Sequence, residues 1–261
     1  PYLILEDCGC ESLKSFRPYD GLSLREKLQI AIKISGALGT VHHASIIHKD
    51  LNPANILYNS AEGTVKLIDF GIASVLEKEQ VLTMTPSHLE GSLQYIAPEQ
   101  TGRMNRSVDY RSDLYSMGIT FYELFVGRVP FDFSDRLKMI HFHIAKNPPA
   151  PHEVAAEIPI PVSEVIMKLI SKEAENRYRS SWGVRVDLQK CLEMLDLGGK
   201  ISPFEIAERD IPDRFVFPEK LYGTESKVLD LLSSFDRVCN GQKEVVFVKG
   251  YSGVGKTSTI N

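Results

Sequence analysis

Long hydrophobic runs are missing from this sequence of 261 residues. No stretch approaches the ~18 consecutive apolar residues that would span a bilayer. The chain also opens without the basic region and apolar region of a secretory signal. The sequence therefore predicts neither a membrane span nor secretion, and it favours the cytoplasm.

Cysteine is scarce as well. Two cysteines lie close together near the start, but no second pair of Cys or His follows at zinc-finger spacing. We therefore expect free thiols in a reducing cytosol and no zinc site. The cysteines are Cys8, Cys10, Cys191 and Cys239.

A strong charge of either sign is absent too. The net charge is −4 with both signs interspersed, which gives no field for nucleic acid or an anionic membrane surface. The hydrophobic content of 43% is ample for a buried core, and the length suits one large domain or two small ones. A globular chain that binds no nucleic acid is expected.

The stretch 46–71 contains the side chains with the clearest chemistry. "IIHKDLNPANIL" is followed after a short turn by "VKLIDFG", so Asp50, Asn55 and Asp69 fall near strand ends. Phosphoryl transfer needs a carboxylate to take the attacking hydroxyl's proton, and oxygen ligands that hold Mg²⁺ on the phosphates. One carboxylate and one amide suit Mg²⁺, which keeps several waters. A metal-phosphate site is expected here.

"HKDLNPAN" and "DFG" stand where the catalytic core of eukaryotic-type Ser/Thr protein kinases has H-R-D-L-x-x-x-N and D-F-G. With "YIAPEQ" downstream, the chain resembles that family. The resemblance implies transfer of phosphate from ATP to protein Ser or Thr. It makes Asp50 the catalytic base, and Asn55 and Asp69 the Mg²⁺ ligands. It also places Glu6, Cys8 and Leu57 at the nucleotide, with the backbone at 6–8 as the hinge to adenine; an ordinary edge strand is the alternative there.

Two residues depart from the family pattern. Lys49 stands in place of the usual Arg, and Asn52 in place of the Lys that reaches the transferred phosphate in most Ser/Thr kinases. Lys49 keeps a cation, without the bidentate fork of Arg. Asn52 can donate a hydrogen bond but cannot neutralise charge. Loss of one preorganised group of this kind typically costs ~3–4 kcal/mol, so a slow enzyme is an open alternative.

Helical periodicity predicts the elements that surround this stretch. Apolar positions at three and four predict a core helix over 23–44, and the nearly all-apolar segment 111–131 predicts a buried helix that stops at Gly127. Ser163 is predicted as the cap of a helix that ends before Arg177, and a further amphipathic helix covers 183–196. We expect His42 and His43 to lie at a helix C-terminus.

Several polar residues are expected to be structural if the resemblance holds. His48 packs and bonds backbone. Asp113 accepts from the catalytic-loop backbone, and an ordinary helix N-terminal cap is the alternative. Glu99 and Arg177 form a buried ion pair, whose disruption typically costs ~3–5 kcal/mol.

Residues 72–99 resemble an activation segment. Thr83, Thr85 and Ser87 are regulatory candidates, because phosphate there could order the segment against Lys49. A plain surface loop is the alternative for each hydroxyl. Ser92, in "EGSLQYIAPE", matches the Thr position of Ser/Thr kinases.

A second motif lies near the end of the chain. "GYSGVGKTS" follows the apolar strand "EVVFVKG" and fits the phosphate-loop pattern G-x-x-x-x-G-K-[ST]. Gly250, Gly253 and Gly255 would belong to the nucleotide-binding loop, in which the backbone N–H groups of 253–257 would cradle phosphates. Lys256 would reach the β- and γ-phosphates, and Thr257 would hold Mg²⁺. A chance glycine turn is the alternative.

The sequence thus predicts an α+β fold. A mainly helical kinase-like large lobe covers 1–196, a linker covers 197–218, and 219–261 is the first strand, phosphate loop and helix of an AAA-type P-loop ATPase. "LYGTESKVLDLL" resembles the entry to such domains. The chain is interpreted as a fragment of a multi-module signalling kinase, with the N-terminal lobe upstream and sensor or histidine-kinase modules downstream.

Two rival functions stay open. In one, the lobe is a pseudokinase scaffold that binds a partner and reports to the adjacent ATPase. In the other, the P-loop ATPase does the chemistry as a nucleotide switch or assembly motor, and the kinase lobe is a docking surface. The upstream Gly-rich loop and its Lys would distinguish these from an active kinase.

Overall fold

The computed structural model describes residues 8–17, 19–75, 92–103, 106–131 and 135–211, with the isolated positions 234, 237, 245–247 and 249. The chain divides into two compact units, Pro1–Asp213 and Arg214–Asn261. The elements below all belong to the first unit. The strand predicted at 2–6 and the phosphate loop at 250–257 lie outside the described residues.

Within the described ranges, five short strands form two antiparallel sheets. The strands are β1 (Glu11–Ser12), β2 (Ile46–Ile47), β3 (Ile56–Asn59), β4 (Thr64–Leu67) and β5 (Ser74–Val75). One sheet has the order β1-β3-β4, with Ile56 opposite Leu67, and the other pairs β2 with β5. Since β3 and β4 form a hairpin, the residue before β3 and the residues after β4 lie at the same end of it. That end holds Asn55 and Asp69.

Helices make up most of the regular secondary structure of the described residues. They are α1 (Leu24–His43), α2 (Arg111–Val126), α3 (Arg136–Ala145), α4 (Pro151–Val154), α5 (Ile160–Leu169) and α6 (Ser181–Gly198). The mixed α+β architecture with a mainly helical body confirms the expected class for this unit. No helix among the described residues combines the length and apolarity needed to cross a membrane.

The predicted core helix over 23–44 is confirmed as α1. Ser23 caps it, with its hydroxyl accepting the Glu26 N–H while the Glu26 side chain accepts the Ser23 N–H, which forms a capping box. The buried face packs against α6. At Gly39 a Cβ would lie 2.7 Å from the Trp182 ring, so the missing side chain lets the two helices approach closely.

The predicted buried helix over 111–131 is confirmed as α2. Its residues from Ser112 to Phe125 are all buried, and it ends at Gly127, whose φ of 88° is left-handed. Gly118 faces α5, where a Cβ would lie 2.7 Å from Leu169 and Ile170 side-chain atoms. The core of the unit therefore lies around α2, between α1 and α5.

The helix cap predicted at Ser163 is wrong. α5 begins earlier, at Ile160, with Pro159 as its N-cap and Pro161 in its first turn. Proline suits the first turn of a helix because no intrahelical N–H bond is lost there. Ser163 instead lies buried inside α5, and its Oγ is 2.8 Å from His152 Nδ1.

The expectation of free thiols is wrong for two of the cysteines. Cys8 and Cys10 are joined by a disulfide, with Cα atoms 5.2 Å apart, a separation within the range such bonds require. Gly9 between them has a φ of 57°, a turn conformation that brings its neighbours together. Cys191 is a free, buried thiol.

The segment after α6 packs against the helical body. Ile201 is buried, and the Ala207 N–H donates to Asp187 at 2.7 Å. The Asp210 carboxylate accepts the N–H groups of Arg179 and Ser180, just before α6. Residues 201–210, which fall in the range predicted as a linker, are thus attached to the compact unit.

Candidate active site

The loop from His48 to Asn55 connects β2 to β3, and hydrogen bonds to the Asp113 side chain hold it in place. The Asp113 carboxylate, fully buried in the first turn of α2, accepts the His48 N–H at 2.8 Å and the Lys49 N–H at 2.7 Å. Lys49 has a left-handed φ of 68°, so the chain turns sharply there. The structure therefore brings Asp113 and the loop backbone together, as the family resemblance implied.

The His42 imidazole also contacts the Asp113 carboxylate, and this pairing was not predicted from the sequence. Its Nε2 lies 2.9 Å from Asp113 Oδ2, and the side chain is buried in the last turn of α1. The position at a helix C-terminus was predicted, but the partner comes from α2, 71 residues away. No local sequence signal indicates such a pairing.

Asp50 lies beyond the turn and is partly exposed. Its carboxylate accepts from Asn52 Nδ2 at 3.0 Å and from the Ser92 N–H at 2.9 Å through Oδ1, and from Asn55 Nδ2 at 3.0 Å through Oδ2. The base candidate is thus held by its own loop and by the segment that leads into "YIAPE". Ser92 belongs to the region that the resemblance assigned to the activation segment.

Asn55 and Asp69 lie next to each other at the open end of the β3–β4 hairpin. The Ile68 N–H donates to the Asn55 carbonyl at 3.0 Å, which places Asp69 one residue from that contact. The Asn55 amide nitrogen donates to Asp50, so its Oδ1 points to the other side of the amide. Asp69 is exposed, with a φ of 63°, and one of its carboxylate oxygens accepts the Gly71 N–H at 3.3 Å.

The remaining oxygens of Asn55 and Asp69 suit a hard cation. Mg²⁺ prefers carboxylate and carbonyl-type oxygens and retains waters. Asn55 Oδ1 and the second Asp69 oxygen accept no hydrogen bond within the part of the chain that the structure describes. The donor set therefore fits the expected metal.

His48 connects the loop to the "DFG" turn. It is fully buried, its Nε2 lies 3.0 Å from the Ile68 carbonyl, and its ring centroid is 4.7 Å from that of Phe70. The residue contacts backbone groups and an aromatic ring, and its Nδ1 accepts the Asp50 N–H at 3.3 Å. The geometry matches a packing role.

Glu99 and Arg177 form a bidentate ion pair in the core. Arg177 Nη1 and Nη2 donate to the two Glu99 oxygens at 2.6 and 2.9 Å, and both residues are buried. Burial raises the pKa of the Glu99 carboxyl, but the Arg177 charge and the Ser112 hydroxyl outweigh it and hold that pKa below its usual range. The pair joins "APE" to the segment before α6.

A second buried cluster, missed from the sequence, fixes the residues after Ser92. The Tyr95 hydroxyl donates to Glu123 Oε2 at 2.6 Å, and Arg17 pairs with Glu123 Oε1 at 2.7 Å and also contacts the Tyr95 hydroxyl. Burial and the Glu123 charge raise the pKa of Tyr95, so it remains a donor. The cluster ties the Ser92 segment to α2.

The remaining predicted nucleotide residues lie in two places. The Cys8 carbonyl accepts Asn59 Nδ2 at 3.0 Å, and half-buried Leu57 lies in β3 opposite Ser12 and Lys66. The other predicted nucleotide residues lie outside the described residues: Glu6, Gly250, Gly253, Gly255, Lys256 and Thr257. The regulatory candidates Thr83, Thr85 and Ser87 also lie outside them.

The family comparison agrees with the geometry of the loop. Residues 1–187 match the family model described as the protein kinase domain. The chain belongs to the protein kinase family. Most of the described unit therefore lies in the protein kinase domain. The loop from His48 to Asn55 contains "HKDLNPAN", the motif that resembles the catalytic loop of this family.

Curated relatives share this kinase region. The chain is 33% identical to Serine/threonine-protein kinase PknB of Mycobacterium leprae over 72% of the chain and 30% of that protein. It is 35% identical to Probable serine/threonine-protein kinase PknB of Lactococcus lactis over 68% of the chain and 28% of the relative. It is 28% identical to Hybrid signal transduction histidine kinase G of Dictyostelium discoideum over 94% of the chain and 10% of the relative. The chain thus spans a third or less of these relatives.

Proposed function

We propose that this kinase transfers the γ-phosphate of ATP to serine or threonine hydroxyls of proteins. The observation that carries the proposal is the position of Asp50: an oriented carboxylate on a loop fixed by Asp113, where it accepts the Asn55 amide N–H. The Asn55 carbonyl in turn accepts the N–H of Ile68, the residue before Asp69. The named Ser/Thr kinases among the relatives support the substrate class.

Asp50 acts as the general base. Its carboxylate is oriented by N–H donors from its own loop and from Ser92, so little reorganisation is needed when a substrate hydroxyl arrives. The carboxylate takes the hydroxyl proton as the oxygen attacks the γ-phosphorus. A positioned acid or base of this kind contributes roughly 10²–10⁴-fold.

Asn55 and Asp69 would hold Mg²⁺ through the Asn55 Oδ1 and the Asp69 carboxylate, and the ion would supply positive charge to the ATP phosphates. Asn55 would then have a double role, since its amide nitrogen donates to Asp50 and its oxygen would be a ligand of the cation. Glu6, Cys8 and Leu57 contribute to the nucleotide pocket in this proposal.

Regulation is proposed at the activation segment. Phosphate on Thr83, Thr85 or Ser87 would add up to two negative charges to the activation segment, and Lys49 would supply the cation against which the segment becomes ordered. Lys49 and Asn52 differ from the usual Arg and Lys of the family. A modest turnover rate follows, because Asn52 brings no charge to the transferred phosphate.

The proposal extends to a nucleotide-binding module after the kinase lobe. Residues 250–257 fit the phosphate-loop pattern, with Lys256 and Thr257 as the phosphate and Mg²⁺ contacts. The similarity to the Dictyostelium hybrid kinase covers 94% of the chain and so continues past residue 187. We propose that 219–261 begins an AAA-type ATPase, and that signalling modules follow it in a longer cytoplasmic protein.

Transfer of labelled γ-phosphate from ATP tests the proposal. The full-length protein would be incubated with a generic Ser/Thr substrate, in parallel with its Asp50→Asn and Lys256→Ala variants. We expect Asp50→Asn to abolish protein phosphorylation and Lys256→Ala to spare it. Label that never reaches protein, with ATP hydrolysis lost only in Lys256→Ala, would instead assign the chemistry to the P-loop module and a scaffold role to the lobe.

A further inference from the structure

Asn52 is buried beside the base, two residues along the catalytic loop. Its amide nitrogen donates to the Asp50 carbonyl and to Asp50 Oδ1, each at 3.0 Å. Its own Oδ1 accepts the Ala54 N–H at 2.9 Å, which caps the short turn Pro53–Asn55. Only 3% of Asn52 is exposed, so both ends of the amide are fixed.

The two oxygens of Asp50 differ in how many donors they accept. Oδ1 accepts from both Asn52 Nδ2 and the Ser92 N–H, whereas Oδ2 accepts only from Asn55 Nδ2 among the described residues. A carboxylate oxygen has about two lone-pair sites. Oδ1 is therefore saturated, and Oδ2 retains one site for a further donor.

We infer that Asn52 is a positioning residue that saturates Asp50 Oδ1 and thereby makes Oδ2 the atom that receives the substrate proton. The inference rests on the proposed function, in which Asp50 is the base. The proton moves from the substrate hydroxyl to Oδ2 as the new O–P bond forms and the bond to the leaving ADP oxygen breaks. Asn52 touches neither the nucleotide nor the hydroxyl in this account.

The role differs from that of a cation at this position. A lysine would both hold the carboxylate and place charge near the γ-phosphate, whereas the Asn52 amide is neutral and both its ends are engaged within the loop. Asn52 thus orients the base without contacting phosphate. The effect of losing it should fall on the chemical step and leave nucleotide binding unchanged.

Asn52→Asp separates the positioning role from the capping role. The new carboxylate still accepts the Ala54 N–H, but it offers Asp50 no donor and opposes it with like charge. In the full-length protein, we expect kcat to fall by roughly 10²-fold, the scale of a small misplacement of a catalytic group. KM for ATP should stay within about twofold, since no uniform binding contact is removed.

Asn147→Asp is the matched control, because Asn147 is exposed in the loop before α4 and the substitution adds the same charge. It should leave kcat and KM unchanged. An Asn52→Asp enzyme with normal kcat overturns the inference. So does a raised KM for ATP at normal kcat, which would make Asn52 a nucleotide contact.

A second measurement tests the Asn52–Asp50 contact without relying on activity. Hydrogen exchange of the peptide 48–59 is followed by mass spectrometry in the full-length protein. We expect faster exchange in Asn52→Asp. Protection should return when Asp50→Asn is combined with it, because the amide introduced at position 50 can donate to the carboxylate introduced at position 52. Equal exchange in the single and double variants overturns the inference.

The same exchange measurement separates the inference from the proposed function. A wild-type protein that transfers no phosphate but shows the restored protection in the double variant would refute the proposed function and retain the contact. A protein that transfers phosphate but shows no restoration would retain the proposed function and overturn the positioning role of Asn52.

Discussion

Two groups of polar residues in the kinase lobe differ in how many of their hydrogen-bonding atoms have partners among the described residues. The buried anchors are Asp113 and the Glu99–Arg177 pair, which are at most 5% exposed and face partners on several sides. The open site consists of Asp50, Asn55 and Asp69, whose oxygens keep lone pairs that accept no hydrogen bond from the described residues. The anchors lie in the helical core, and the open site lies on the loops above it.

The number of hydrogen-bond partners should distinguish residues that stabilise the fold from residues that take part in phosphate transfer. A buried charge that loses its partner remains desolvated, so removing half of an anchor is costly. An oxygen that still lacks a partner in the open site can accept a proton or a cation, and its removal costs activity instead. A substitution in a buried anchor should therefore lower the free energy of unfolding, whereas a substitution in the open site should lower the rate of phosphate transfer.

The largest effect on stability is expected from Arg177→Ala. It leaves the buried Glu99 carboxylate without its bidentate partner, and breaking such a pair typically costs ~3–5 kcal/mol. Denaturant unfolding of the kinase unit would measure the loss. A change below about 1 kcal/mol, the usual scale for surface pairs, would contradict the assignment of this pair as an anchor.

Asp113→Asn should have the next largest effect. The substitution replaces a carboxylate that accepts two loop N–H groups and faces His42, and hydrogen bonds to charged groups are worth about 1.5–3 kcal/mol. Hydrogen exchange of the loop should accelerate, and phosphate transfer should fall with it. Unchanged exchange at residues 48–55 would show that the loop is held by other contacts.

Acidification should destabilise the lobe through His143. Burial and then the nearby Lys172 charge lower the pKa of His143 to about 3. The folded state thus keeps it neutral, while the unfolded chain protonates it below ~6.5. Stability should be full above that pH and fall by up to ~1.4 kcal/mol per pH unit below it.

The change of the free energy of unfolding with pH is measured by unfolding the protein at several pH values between about 4 and 8. His143→Gln provides the comparison, since Gln does not titrate and can still bond the Tyr115 hydroxyl, which lies 3.0 Å from His143 Nδ1. The variant should show a flatter pH dependence. An identical slope in both proteins would exclude His143 as the source.

The smallest effect is expected from Arg25→Ala. Arg25 pairs with Asp196 at 2.8 Å between α1 and α6, but both side chains are largely exposed. Water and salt screen such pairs, so no measurable change in unfolding is expected. A loss as large as that of Arg177→Ala would remove the distinction between buried and exposed pairs.

Local patterns in the sequence predicted much of this lobe. The motifs that contain Asp50, Asn55 and Asp69, the core helix over 23–44 and the helix that stops at Gly127 all depend on residues that are close together in the sequence. Periodicity and capping are local properties, so these features are readable without tertiary structure. The boundary of α5 was less accessible, because two prolines outweighed the apparent cap at Ser163.

Side-chain partners that come from distant segments of the chain could not be predicted from local sequence patterns. The pairing of His42 with Asp113 and the Arg17–Tyr95–Glu123 cluster join residues 28 to 106 positions apart. The two bonds of Asn52 to Asp50 are local, yet the family resemblance drew attention to the missing charge and not to the amide donor. Only the folded loop shows which oxygen of Asp50 it engages.

Asp50 should contribute to the rate of phosphate transfer and not to the free energy of unfolding. The direct test is the rate of phosphate transfer to a protein substrate by full-length wild type and Asp50→Asn, with unfolding measured on the same samples. The account predicts a rate lower by roughly 10²–10⁴-fold and unfolding close to that of the wild type. An Asp50→Asn protein that transfers phosphate at the wild-type rate would contradict it.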